Sequence, residues 1–293
     1  MLKHLPLLCV SLLALAACSG QSDSSSSATT PTPAASAPAP APAATAPAAP
    51  ATAAAPATAG TAAAATQAPA APEPTPAAPK VAAAPFVDNG KWEEGKHYFR
   101  IEPSQPTSTP GKIEVTEVFS YGCPACFQFH GIVDEMAKNL PDGAVMTYTP
   151  ASFRPDENWP LLQRAYVTAQ AFGVADKAHD AMFDAVFTSG ELGMMDTKTS
   201  KPKPQSAWPT INDVAKFYAK YGVNADEFVA TANSFTINTK MKRADELIRA
   251  YGVESTPTIV VNGKYRLTPI TAGGYPQAVE LTQWLVSKEA AGK

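Results

Sequence analysis

The chain has 293 residues and little cysteine: only Cys9, Cys18, Cys123 and Cys126. A scaffold held by several scattered disulfides is therefore excluded. Positive charge is not in excess either, with 23 Lys and Arg against 26 Asp and Glu and a net charge of -3. That excludes a broad basic surface, and nucleic acid is not expected as a partner. The apolar run Leu5 to Ala17 falls short of the ~20 residues that a spanning helix requires. From Gly20 to Pro85 there is no aromatic residue, one large aliphatic one (Val81), and only Asp23, Glu73 and Lys80 carry charge. Such a stretch cannot bury enough apolar area to offset its conformational entropy, which excludes a core there and predicts disorder.

What fills that stretch is Ala, Ser, Thr and Pro, with 14 of the 29 prolines between Pro31 and Pro85. Residues 18–85 are expected to be a low-complexity tether, spanning about 45–50 Å as a coil and approaching roughly 200 Å as polyproline II. The remainder, Phe86 to Lys293, has 208 residues and keeps 21 basic and 24 acidic side chains. That length suits one domain carrying an insertion.

Lys3 and His4, the apolar run and Leu15-Ala16-Ala17-Cys18 read as an export signal, with residues 1–17 expected to be the signal peptide. A cysteine at that position resembles the lipobox of bacterial lipoproteins, in which it is lipidated and becomes the new N-terminus. An ordinary signal cut after an Ala-x-Ala-like site is the alternative. Cys9 lies inside the apolar run and would be removed.

Cys123 and Cys126 are then the two cysteines of the folded part, spaced Cys-x-x-Cys. A bridge over two residues closes too small a loop to stabilise much, so the spacing points to chemistry. Ile113 to Ser120 reads as a strand, Tyr121-Gly122 as a break, and Pro124 suits the first turn of a helix. Ala144 to Thr149 reads as the next strand. Cys123 is thus predicted at a strand-to-helix junction, where open backbone N–H groups and the helix dipole favour its thiolate. Cys126, one turn on, can attack a mixed disulfide. A structural disulfide, a redox sensor pair and a zinc site are alternatives. The last lacks a fourth ligand even if His130, read as a solvated helix residue, is counted, and no metal is expected.

The strand, the Cys-x-x-Cys helix start and Thr256-Pro257 before Thr258-Ile-Val-Val261 together resemble the thioredoxin fold. More narrowly, Glu117-Val-Phe-Ser-Tyr-Gly-Cys-Pro-Ala-Cys-Phe-Gln-Phe129, with Gly90-Lys91, Gly95-Lys96-His97-Tyr98, Gly252-Val253 and Val261-Asn-Gly-Lys-Tyr265, resembles the DsbA family of periplasmic thiol:disulfide oxidoreductases. The expected fold is α/β: a thioredoxin domain over 86–293 with an all-helical insertion at about 153–236. The resemblance implies that Cys123 is the exposed nucleophile and Cys126 its buried resolving partner. Pro257 would be a cis proline beside the disulfide, and Thr256, Pro124 and Ala125 would face the substrate. Glu117 would be a buried acid that shuttles the Cys126 proton; a solvated strand face is its alternative. Two positions depart from the family: Pro124-Ala125 stands where Pro-His is usual, and Tyr148 where a basic residue is frequent. Ala125 predicts a less oxidising couple.

Apolar spacing predicts helices through Leu161–Phe172, Met182–Phe187, Val214–Tyr221 and Phe228-Val229, then Met241–Tyr251 and Ala278–Val286. Asn262-Gly263 predicts a hairpin. Met194 and Met195 read as a Gly-flanked turn, and Lys198 to Trp208 as an extra loop. The resulting expectation is an exported, membrane-tethered monomer that puts disulfides into exported proteins with free cysteines. A membrane partner similar to the quinone-coupled DsbB would reoxidise it, and no bound cofactor is required. A milder reductase or isomerase, or a chaperone-like binding module, are the alternatives.

Overall fold

The computed structural model describes residues 85–293. The expected signal peptide (1–17), lipidated Cys18 and the tether up to its last residue lie outside the described residues.

Five strands form one mixed sheet in the order β1-β7-β6-β2-β3. They are β1 (Phe99–Arg100), β2 (Ile113–Phe119), β3 (Ala144–Pro150), β6 (Thr258–Val261) and β7 (Tyr265–Leu267). The central strand β2 runs parallel to β3, in register Ile113 with Ala144, and antiparallel to β6, in register Val115 with Val261. A parallel pair needs a crossover, and helix α1 (Pro124–Lys138) provides it.

Helices cover both faces of the sheet. Val115 on β2, Phe129 and Val133 on α1, and Leu281 and Leu285 on α8 (Tyr275–Ala290), which follows the one-turn helix α7 (Pro269–Ala272), form one cluster. Val118 on β2 and Val260 on β6 pack on the other face against Ile248 of α6 (Phe235–Ala250). Side chains alternate along a strand, so Glu117 shares the α1 face with Val115. Both faces of β2 are dry, and apolar/polar alternation therefore does not apply to it.

Four helices lie between Pro150 and α6, the helical insertion of this fold: α2 (Trp159–Ala171), α3 (Ala175–Phe183), α4 (Ile211–Ala219) and α5 (Ala225–Ala232). One π-helical turn, Asp184–Thr188, continues α3. The predicted helical faces are the buried ones: Leu162, Ala165, Met182, Phe183, Val214, Phe217 and Phe228 share one cluster. The Met194-Met195 turn and the loop after Lys198 require correction. Met195–Asp196 (β4) pairs with Lys201–Pro202 (β5) in a small antiparallel hairpin, followed by a 3-10 turn at Gln205–Ala207.

Two edges of the domain are fixed by specific contacts. Phe86 packs on Trp284 with ring centroids 5.3 Å apart, and the Trp284 Nε1–H donates to the Val87 carbonyl at 3.0 Å. At the predicted hairpin, Asn262 and Gly263 adopt φ +53° and +64°, and Lys264 N donates to the Val261 carbonyl at 3.0 Å. Both central residues are left-handed, as a type I′ turn requires.

A Cβ at Gly263 would collide with the Gln105 carbonyl. With the positive φ added, Gly263→Ala is expected to destabilise the domain by about 2 kcal/mol or more. Chemical denaturation checks this: the midpoint falls while the slope stays constant.

Candidate active site

Cys123 is the N-cap of α1, in extended conformation (φ -92°, ψ 115°), and Pro124 takes the first helical position. A proline there forfeits no hydrogen bond, because the first helical N–H groups have no partner inside the helix. The Cys126 backbone N–H instead donates to Cys123 Sγ at 3.3 Å. The loop before it is held tightly: Gly122 N donates to Ser120 Oγ at 3.1 Å and Cys123 N to the Ser120 carbonyl at 3.0 Å.

Both cysteines are free thiols, so this is the reduced dithiol arrangement. Cys126 is fully enclosed. Cys123, expected to be exposed, is only 5% accessible and requires correction. Its sulfur lies 3.5 Å from the Thr256 carbonyl, and the Thr256–Pro257 peptide is cis, with Pro257 buried. Pro124 is exposed and Ala125 half-buried. A cavity of about 590 Å³ opens between Ala125, Thr256, Pro257, Pro269, Ile270 and Tyr275. Ile270 is 90% exposed at its rim, so the cavity offers an apolar seat next to the sulfur.

The two thiols are electrostatically unlike. Cys123 is pulled down to about 6, first by the hydrogen bond from the Cys126 thiol, then by contacts with Thr256 and the Cys126 and Ala125 amides, against the opposing effect of burial. Burial, followed by the shared hydrogen bond and the Glu117 charge, pushes Cys126 well up. Thiolate is the reacting form in disulfide exchange. At neutral pH Cys123 is therefore the charged sulfur and Cys126 the protonated one.

Glu117 is fully buried, on the sheet face beneath α1, with neither carboxyl oxygen hydrogen-bonded. Burial, then the Cys123 and Asp134 charges, raise it to about 8. The solvated alternative for this residue does not apply. Tyr148 sits directly across from it on β3, so no cation balances the carboxyl from that strand.

Several neighbours of the site were not legible in the sequence. A Cβ at Gly122 would lie 2.7 Å from the Trp159 indole, so glycine there allows α2 to press against the active-site loop. Tyr121 Oη is 2.9 Å from His179 Nδ1 of α3. Tyr275 Oη donates to the Ala125 carbonyl at 3.2 Å. All three partners are distant in sequence, and only Gly122 itself carried a signal. His130 requires correction: rather than being solvated, it is half-buried, with its ring stacked 5.5 Å from that of Phe127. Among the described residues no three His, Cys, Asp or Glu side chains gather as a metal site.

The fold brings together the dithiol, the Thr256 carbonyl before cis Pro257 and the enclosed acid, an arrangement with the groups that thiol–disulfide exchange requires. A family model described as Thioredoxin matches residues 108–280. The thiol:disulfide interchange protein DsbA of Pseudomonas syringae is 35% identical over 199 residues, which cover 68% of this chain and 85% of that protein. The crystal structure of Pseudomonas aeruginosa DsbA superposes with a TM-score of 0.59 at 33% identity, covering 70% of this chain and 97% of that one. For the oxidoreductase DsbA of Xylella fastidiosa the values are 0.59, 32%, 67% and 97%. With its thioredoxin fold, its helical insertion and its two unlike thiols, the chain belongs to the DsbA family of thiol:disulfide interchange proteins and is a thiol:disulfide oxidoreductase.

Proposed function

We propose that this protein introduces disulfide bonds into exported proteins through Cys123 and Cys126. The observation that carries this reading is the split between the two sulfurs: an ionised, slightly accessible Cys123 at the start of α1, and a protonated, enclosed Cys126. In the oxidised enzyme a substrate thiolate attacks Cys123 Sγ. The substrate–Cys123 bond forms, the Cys123–Cys126 bond breaks, and Cys126 leaves as a thiolate. Glu117, protonated at neutral pH, gives it a proton. A second substrate thiolate then attacks the substrate sulfur of the mixed disulfide. The substrate leaves oxidised, and Cys123 leaves as a thiolate held by the Cys126 amide. Two electrons now reside in the dithiol and pass to a membrane partner similar to DsbB. In that step Glu117 takes back the Cys126 proton.

The extended substrate lies along Thr256, Pro124 and Ala125, with the adjoining cavity taking an apolar side chain. The protein works as a monomer in the periplasm, anchored through lipidated Cys18 and the proline-rich tether. No helix among the described residues is long and apolar enough to cross a membrane.

Labelling, stability, reoxidation rate and redox equilibrium test this reading. Alkylation of the reduced protein is expected at Cys123 first, with a rate that rises through pH 6; equal labelling of Cys126 contradicts it. The same titration governs stability. The Cys123 pKa lies below that of a free thiol, about 8.5. Ionisation therefore stabilises the reduced fold fully above that value, and the gain is lost as pH falls through about 6.

Glu117→Gln is expected to slow reoxidation on the order of 10²-fold at pH 7 in rapid-mixing experiments. It should also raise the unfolding midpoint, because the wild-type carboxyl must stay neutral against its tendency to ionise. That gain grows as pH rises from 4.5 to about 8.

Equilibration with glutathione should give a potential less oxidising than that of a Pro-His relative, because Ala125 adds no donor to the Cys123 thiolate. A potential as low as about -270 mV, that of thioredoxin, contradicts the oxidase reading and supports the reductase one.

A further inference from the structure

The hairpin of β4 and β5 projects from the helical insertion and has its own framework. Asp196 Oδ1 accepts from the amides of Lys198 and Thr199, at 2.9 Å each, and Ser200 N donates to the Asp196 carbonyl at 2.8 Å. At its base Lys203 Nζ donates to the carbonyls of Gly190 and Gly193 at 2.6 and 2.9 Å, and the Trp208 Nε1–H donates to the Lys203 carbonyl at 3.2 Å. The tip is therefore built and held, yet its outer side chains contribute nothing to a core. Met195 is 45% exposed, and Lys198 and Lys201 are exposed.

Charge is unevenly placed here. Between Met194 and Trp208 the lysines are Lys198, Lys201 and Lys203, against the single carboxylate of Asp196. That carboxylate is engaged by backbone amides, and Glu191 nearby is paired with Lys220 at 3.4 Å. Neither Lys198 nor Lys201 is in an ion pair among the described residues. A protein of net charge -3 thus carries a local positive prong.

The base of the prong reaches the active site through two residues. Asn158 Nδ2 donates to the Leu192 carbonyl at 3.1 Å, and Asn158 N lies 3.0 Å from Met194 Sδ. The next residue, Trp159, presses on Gly122, directly before Cys123. The base of the hairpin and the loop that presents Cys123 thus pack on the same start of α2.

We propose that the β4–β5 hairpin is a client-docking arm that favours acidic, extended segments flanking the cysteine to be oxidised. Lys198 and Lys201 attract the carboxylates, and Met195 offers an adaptable apolar contact. Capture by opposite charge raises the encounter rate and is screened by salt. This rests on the oxidase reading above and adds to it a class of substrate.

The test compares three two-cysteine peptides that differ only in their flanks: acidic, neutral and basic. With the full-length oxidised protein in about 20 mM salt, the acidic peptide is expected to react about fivefold faster than the basic one. In about 0.5 M salt the difference should vanish. Lys198→Ser with Lys201→Ser should abolish it, and Lys198→Glu with Lys201→Glu should invert it. The neutral peptide should be oxidised at the same rate by all forms, with the same equilibrium against glutathione. An acidic-to-basic ratio unchanged in both double variants overturns the docking arm while leaving the oxidase reading intact. Failure to oxidise even the neutral peptide overturns the oxidase reading itself.

Discussion

Everything at this site depends on keeping a negative sulfur in a place that is almost dry. Burial opposes charge on any thiol, and Cys123 is 5% accessible. The offset comes first from the neighbouring Cys126 thiol, then from Thr256 and from the unpaired amides in the first turn of α1. The remaining architecture maintains this balance. Pro124 begins the helix where a proline costs nothing, Gly122 lets Trp159 close over the loop, and β2 brings Glu117 beneath the second sulfur without a counter-charge. Burial keeps that acid protonated at neutral pH.

Much of the frame was legible because it is local. Strand, break, proline and paired cysteines follow one another between Ile113 and Cys126, and the helical faces of the insertion repeat at a 3.6-residue period. What was not legible depends on distance in sequence. The 150-residue separation between Tyr275 and Ala125, or the 58 between Tyr121 and His179, leaves no periodic trace. The enclosure of Cys123 leaves no local trace for the same reason, since Thr256 approaches its sulfur from the loop before β6. Nor does that of His130, whose ring rests on Phe127 and on Phe183, a residue of the insertion. The hairpin has strands of two residues, too short to show alternation.

The departures from the family lie on the two sides of the same sulfur pair. Ala125 withdraws a donor from the Cys123 side, while Tyr148 withdraws a cation from the Glu117 side. The first leaves the Cys123 sulfur to the Cys126 thiol, Thr256 and the helix amides. The second leaves the buried carboxyl without a cation from β3, and burial raises it to about 8.

The contact of Phe86 and Val87 with Trp284 fixes where the described chain enters the domain. Trp284 lies nine residues beyond Tyr275 on α8, roughly 13 Å along the axis. The entering segment is thus held on the flank of α8 and takes no part in lining the cavity at Tyr275, so that face of the site stays open to an incoming polypeptide.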